Sequence, residues 1–195
     1  MIIGITGGTG CGKTTLLNII QQHGGLILDC DAIYHRLLAT DNAMLGKISN
    51  RFPGVMEEGG LNRKKLGEIV FSDPGALLDL NQITHSAVKK VVMQELSHAP
   101  DLAAIDAIGL FEGELAPLCD VTVAVTAPVE ERVKRLVARD GITESYARSR
   151  IAAQHDSQWF QERCDYVLHN DSDLDAFATK CLAFFINLGI IKEKS

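Results

Sequence analysis

Basic residues are the scarcer charge in this chain: 19 Lys and Arg stand against 25 Asp and Glu, a formal net charge of −6. Broad contact with nucleic acid or an anionic membrane needs a basic face, so neither is expected as a partner. Any phosphate the protein handles has to be met by cations gathered locally. The five cysteines (Cys11, Cys30, Cys119, Cys164, Cys181) form no C-x-x-C pair and no Cys/His group at zinc spacing. An odd number without a framework reads as reduced thiols, and the cytoplasm is the expected location. Long hydrophobic runs are missing too. The longest, Cys181 to Ile191, contains Asn187 and Gly189 and falls short of the ~20 residues a bilayer helix needs. Only six residues precede Gly7-Gly8, too few for a secretory signal peptide. Repeats and low-complexity tracts are absent.

What is present suits one domain with an insertion: 195 residues, of which 46% are hydrophobic. Met1 to Thr6 is a short apolar run ending in glycines, as expected of a buried parallel strand. Lys13 to His23 carries Leu16, Leu17, Ile19 and Ile20 at helical spacing. Gly24-Gly25 ends that helix, and Leu26 to Asp29 is a second strand. The opening is therefore βαβ. From Asp31 to Ala99 the pattern is mostly helical, broken at Phe52-Pro53-Gly54, Glu58-Gly59-Gly60 and Asp73-Pro74-Gly75. Strands return at Leu102–Asp106, Asp120–Thr126 and Asp165–His169. Helices are expected over Val129–Arg139, Glu144–Gln154 and Leu174–Leu188. With Gly7-x4-Gly12-Lys13-Thr14 standing between the first strand and its helix, the predicted fold is α/β, a three-layer P-loop NTPase with a five-stranded parallel sheet, a helical substrate-binding insert and a small lid. Its core comprises residues 1–30, 100–130 and 164–195, the insert 31–99 and the lid 131–163.

The chemistry is signalled first by Gly7-Gly8-Thr9-Gly10-Cys11-Gly12-Lys13-Thr14, a complete G-x-x-x-x-G-K-[ST] between a strand and a helix. Glycines let consecutive backbone N–H groups turn toward phosphate oxygens without Cβ clashes, and the helix N-terminus adds its positive end. Lys13 is expected on the β/γ-oxygens of ATP, the Thr14 hydroxyl on Mg²⁺, and Thr15 near the α-phosphate. Cys11 fills the loop without a role of its own. The second strand ends in Asp29-Cys30-Asp31, at the sheet edge that faces the reacting phosphate. One of these carboxylates accepts the proton of an attacking hydroxyl, or one merely caps the next helix. Asp31 is read as the catalytic residue, with Asp29 structural or metal-supporting. Asp106, ending the third strand, either supports Mg²⁺ or is a strand-end turn residue.

Glu130 to Asp140 concentrates cations on one helix, followed by Arg148 and Arg150. Arginine neutralises transferring phosphoryl charge bidentately. Arg139, at the turn Asp140-Gly141, is the candidate for that task. Glu131 and Arg135 at i,i+4 fit a solvated face, and the remaining arginines are read as surface residues, with lid contact as the alternative. His85, on a helix with Leu80, Ile83 and Val88, is either core or substrate-facing. Trp159 and Phe160 are expected to pack rather than stack a base.

With these residues in view, the chain closely resembles the dephospho-CoA kinase family. The resemblance runs from Ile5–Thr14 through Asp29-Cys30-Asp31, Leu61-Asn62-Arg63 and Val70-Phe71-Ser72-Asp73-Pro74. It continues with Thr84-His85, Leu110-Phe111-Glu112, Arg139-Asp140, Ala153-Gln154 and Asp165-Tyr166-Val167. The phosphate loop is common to many families; the ordered set of the others is far more specific. The resemblance implies transfer of phosphate from ATP to the ribose 3′-hydroxyl of dephospho-CoA. It also implies Asp31 as base, Arg139 as lid arginine and Asn170 near the adenine of ATP. The chain departs from the family pattern at His35-Arg36, His85-Ser86, Ile108-Gly109 and His155-Asp156-Ser157-Gln158. A GTPase would carry Asn-Lys-x-Asp, which is absent, and a transport ATPase a signature loop and more chain. A kinase for another small metabolite remains the alternative enzyme, and an ATP-binding regulator without turnover the alternative class. Oligomeric state is left open, a monomer being compatible with the sequence.

Overall fold

The computed structural model describes residues 1–191, so positions 192–195 of the expected core segment lie outside the described residues. The chain opens with β1 (Ile2–Thr6), α1 (Lys13–Gln22) and β2 (Leu26–Asp29). The insert follows as α2 (Cys30–Thr40), α3 (Asn42–Arg51), β3 (Met56–Glu57), β4 (Gly60–Leu61), α4 (Arg63–Ser72) and α5 (Pro74–Leu96). Then come β5 (Ala103–Asp106), β6 (Val121–Thr126), α6 (Val129–Asp140), α7 (Glu144–Ala152), α8 (Ser157–Gln161), β7 (Tyr166–His169) and α9 (Leu174–Asn187).

Five strands form one parallel sheet in the order β2-β5-β1-β6-β7, and β3 and β4 form a separate antiparallel hairpin. Side chains alternate across the sheet. Ile3, Ile5, Val123 and Val125 meet Leu16 and Ile20 of α1 and Phe177, Cys181 and Phe185 of α9. The other face carries Leu28, Ile105 and Leu110, which join the insert's core. That core is organised by α5, whose buried residues Ala76, Leu80, Thr84, Val88 and Val92 recur every four positions. The stripe packs against α2, α3 and α4, bringing Ile33, Leu37, Ile48 and Val70 into one cluster. A third, small cluster of Val133, Leu136, Ala147 and Ile151 joins α6 to α7.

The sequence-based elements reappear with ends displaced by a residue or two. A hairpin, a short helix and the 3₁₀ turn Ala116–Leu118 were not foreseen. The Glu58-Gly59-Gly60 break is the turn of the β3–β4 hairpin, whose strands are two residues each, too short for an alternating pattern to register. Helix α8 has five residues, too few to show helical periodicity, and it buries Phe160 beside β6 and β7. All five cysteines are free. Burial pushes the Cys30 and Cys119 thiols up to about 12, so neither is poised as a thiolate. Among the described residues, no helix is long and apolar enough to cross a membrane.

Candidate active site

The turn between β1 and α1 presents its residues at the carboxyl edge of the sheet, where strand ends gather functional groups. Gly12 starts α1 from a left-handed conformation, φ 97°, and a Cβ there would run into Asn170 Nδ2. A cavity of about 670 Å³ lies over this turn, lined by residues 9–14, the three carboxylates Asp29, Asp31 and Asp106, and Arg135, Arg139 and Arg150. Lys13 donates from Nζ to the Gly7 carbonyl at 3.0 Å and lies 4.0 Å from Asp106 Oδ1. At that separation the ammonium attracts the carboxylate without donating to it.

The carboxylates have separate environments. Strand register sets Asp29 directly beside Asp106. Asp29 Oδ1 accepts from the Ala32 N–H at 2.9 Å, so Asp29 is the N-cap of α2. Asp31, two residues on, is exposed and lines the cavity. Asp106 is the least comfortable of the three. Its Oδ1 is buried with no hydrogen-bond partner, and burial raises its pKa to about 6 against the pull of Lys13, with Asp29 and Asp31 pushing the same way as burial. An unpartnered buried carboxylate oxygen in a cavity that Thr14 also lines is a donor set suited to a hard cation that takes its other oxygens from phosphate and water. Among the described residues, no group of three His, Cys, Asp or Glu side chains is set to hold a metal alone.

Asp31 and Ile108 also line a second cavity of about 250 Å³. Its walls are Cys30 and Tyr34 of α2, Leu80, Thr84 and Val88 of α5, and Leu115 beyond β5, with Asn81 and His85 supplying polar edges. His85 is therefore at a pocket wall, its Nδ1 3.1 Å from the Glu112 carbonyl. Across the same segment, His155 Nε2 meets Glu112 Oε1 at 2.7 Å and stacks on Trp159, ring centroids 3.8 Å apart. Trp159 and Phe160 thus pack on neighbouring side chains.

The cationic helix needs correction. Glu131 pairs with Lys134 rather than Arg135, and three arginines read as surface residues meet the site region: Arg135 and Arg150 line the cavity, and Arg132 bonds the loop without lining it. Arg132, only 7% exposed, donates from Nε to the Thr9 carbonyl at 2.9 Å. Arg135 reaches the Gly10 and Cys11 carbonyls at 3.3 and 3.4 Å, and Arg150 lines the cavity. Residues 132, 135 and 139 fall at i, i+3 and i+7, one face of α6, beside the buried Val133 and Leu136; that spacing was the signal available in the sequence. Arg139 is exposed, held by Asp140 at 2.6 and 3.0 Å, and Arg150 shares the same carboxylate at 2.9 Å. Arginine pairing holds the Asp140 carboxyl down at about 2. Arg148 bonds Glu130 and Glu144 on the outer surface, as a solvated face would. Asn170 is buried behind the loop and donates to the Cys11 carbonyl at 2.8 Å.

Comparison with known proteins bears on this geometry. The dephospho-CoA kinase family profile matches residues 1–176. This chain belongs to the dephospho-CoA kinase family. It is 32% identical over 178 residues to the dephospho-CoA kinase of Latilactobacillus sakei, covering 89% of this chain and 88% of that one. A crystal structure of a Thermus thermophilus protein superposes with a TM-score of 0.80 at 33% identity, covering 96% and 97% of the two chains. Shikimate kinase from Bacteroides thetaiotaomicron, at 16% identity and TM-score 0.53 over 97% and 98% of the two chains, shares the fold alone. The family is one of ATP-using transferases, and the five-stranded parallel sheet with its flanking helices is the expected P-loop kinase architecture.

Proposed function

We propose that this chain transfers the γ-phosphate of ATP to the ribose 3′-hydroxyl of dephospho-CoA, giving coenzyme A and ADP. The observation that carries the reading is the position of Asp31 on the wall shared by the two cavities. One cavity has a phosphate-binding loop; the other is apolar with polar edges, suited to a nucleoside. A hydroxyl entering from the second cavity meets a carboxylate before it meets the phosphate. Asp31 accepts or orients the hydroxyl proton as the oxygen bonds to phosphorus and the bond to ADP breaks. Lys13 and the N–H groups of Gly8, Gly10 and Gly12 serve the phosphates, Thr9 and Cys11 complete the loop with their N–H groups held by Gln154 and the Gly8 carbonyl, and Thr15 lies toward the α-phosphate. Arg139 leaves Asp140 to neutralise the transferring group. Thr14 and Asp106 would hold Mg²⁺, which when bound withdraws charge from the phosphate oxygens. Asn170, buried behind the loop, is assigned to the adenine end of ATP by the family resemblance. The carboxylate-rich, net acidic surface and the free thiols suit a cytoplasmic enzyme acting on small molecules.

The test is purified protein with Mg-ATP and dephospho-CoA, run beside a panel of nucleosides, nucleotides and shikimate. Stoichiometric ADP and 3′-phosphorylated product with dephospho-CoA is expected. ADP release with another acceptor, and none with dephospho-CoA, would overturn the assignment while leaving the kinase fold intact.

A further inference from the structure

The phosphate loop is held from behind as well as spanned by its own turn. Arg132 donates from Nε to the Thr9 carbonyl at 2.9 Å and from Nη2 to Gln154 Oε1 at 2.8 Å. The same Gln154 oxygen accepts from the Thr9 N–H at 2.9 Å. Both polar groups of Thr9 are therefore fixed by side chains from beyond β6, one on α6 and one just after α7. The loop's composition fits this contact. A Cβ at Gly8 would run into the Arg132 guanidinium and Gln154 Oε1, and one at Gly10 would lie 3.0 Å from the Arg132 carbonyl. Arg132 and Gln154 do not line the nucleotide cavity, whereas Gly10 and Gly12 do.

The consequence follows from peptide geometry. The chain has no cis bonds, and in a planar trans peptide the N–H of one residue points opposite to the carbonyl before it. Carbonyls of Thr9 and Cys11 are drawn outward by Arg132 and by Asn170, neither of which lines the cavity. The N–H groups of Gly10 and Gly12 are thereby turned inward, to the cavity those residues line. Arg132 is also a buried cation with no carboxylate within ion-pair distance among the described residues, an arrangement that costs stability without another return. Phosphate recognition is a return of the right kind.

We propose that Arg132 and Gln154 are positioning residues that clamp Thr9 and so aim the loop's N–H groups at the nucleotide phosphates. They act through the loop and touch neither substrate. Because Gln154 closes the α6–α7 pair, the clamp also ties those helices to the loop, and Arg139 rides on the same face of α6 as Arg132.

The experiment measures Mg-ATP and dephospho-CoA dissociation constants on the intact protein for Gln154→Leu, Arg132→Met, Arg132→Lys and the Leu/Met double variant, with melting temperatures alongside. Charge-assisted buried bonds predict ATP affinity weakened roughly tenfold to a hundredfold in Arg132→Met and about tenfold in Gln154→Leu. Dephospho-CoA affinity stays within about twofold, and Arg132→Lys, keeping one donor for the Thr9 carbonyl, lies between Met and wild type. The double variant is weaker than either single variant but by less than the product of the two effects, since the Arg132–Gln154 bond is lost in both. Should Arg132→Met fail to fold, Gln154→Leu decides, because it removes no buried charge. ATP affinity unchanged in folded Gln154→Leu, or equal weakening of both ligands, overturns the clamp. The inference rests on the proposed kinase reading only for its control ligand. If wild type ignores dephospho-CoA, the acceptor assignment fails, and the ATP measurements still decide the clamp.

Discussion

The two cavities that share Asp31 are built in opposite ways. The phosphate side takes its floor from six consecutive residues, 9–14, whose backbone is proposed to do the recognising, and is trimmed by carboxylates and arginines. The acceptor side takes its walls from α2, from α5 and from residues 107–115, stretches far apart in sequence, and relies on packed side chains. Backbone recognition of an anion demands little beyond glycine, a lysine and a helix start, so it survives in many families. A pocket for a particular acceptor demands tertiary assembly. The loop thus speaks for phosphate transfer in general, and the insert for the particular substrate.

The largest effect expected is at the junction. Asp31→Asn should leave ATP affinity near wild type while turnover falls by roughly two to four orders of magnitude, the usual weight of a general base. Single-turnover rates with saturating ATP make the measurement. Turnover within a fewfold of wild type would reduce Asp31 to a helix-start residue and leave the junction without a base.

Next in size is a stability effect on the phosphate side. Asp106 has its pKa raised from the ordinary 3.8 to about 6, mainly by burial, so the fold disfavours its charged form. Below pH 3.8 the residue is neutral folded or unfolded and costs nothing. As pH rises to about 6 the unfolded chain releases the proton first and stability falls; above that the penalty is complete. Asp106→Asn should therefore gain on wild type as pH rises from about 3.5 to 7, by on the order of 1–3 kcal/mol. Unfolding in chelator across that range is the check, and parallel curves for the two proteins would refute it. The variant should simultaneously lose Mg²⁺-dependent activity, which separates the cost of this carboxylate from its use.

A smaller effect isolates the acceptor side. Val88 lines the apolar pocket from α5 and is remote from the loop. Val88→Phe should raise KM for dephospho-CoA roughly tenfold, as overpacking does, with KM for ATP changed less than about threefold. If KM for ATP rises equally, the two cavities are not separable and the comparison above collapses.

The same contrast explains what could be read before the structure. The β1–loop–α1 unit, the edge carboxylates and each strand of the parallel sheet are written in contiguous residues, so period and spacing reveal them. Asp29 and Asp31 could be split in role because capping has its own chemistry. The insert's helices were legible from their periodicity, whereas the β3–β4 hairpin and α8 are too short to have any. Arg132, read as a surface residue, is buried, and Arg135 and Arg150 take the cavity side that the sequence left open. A run of mixed charge looks solvated from any one strand of sequence, and only the packing of Val133 and Leu136 against Ala147 and Ile151 decides which face turns inward. Gln154 gives no local signal at all, since its partner Thr9 lies far away in the chain.

The smallest effect tests the role given to the other member of the edge pair. Asp29 caps α2 through Ala32 N–H and, as a neighbour in register, adds to the charge that Asp106 must bear. Asp29→Ala loses the cap, worth about 1 kcal/mol, but also relieves that repulsion, so its net loss should be less than a cap alone implies. Asp29→Asn keeps an oxygen for the Ala32 N–H and removes the charge, so it should be at least as stable as wild type at neutral pH. Both should retain turnover within about threefold, unlike Asp31→Asn. Denaturant midpoints with turnover for the three variants make the comparison. If Asp29→Asn matches Asp31→Asn in lost turnover, the base is shared between the two carboxylates, and the cavity junction has two working groups where one is assigned.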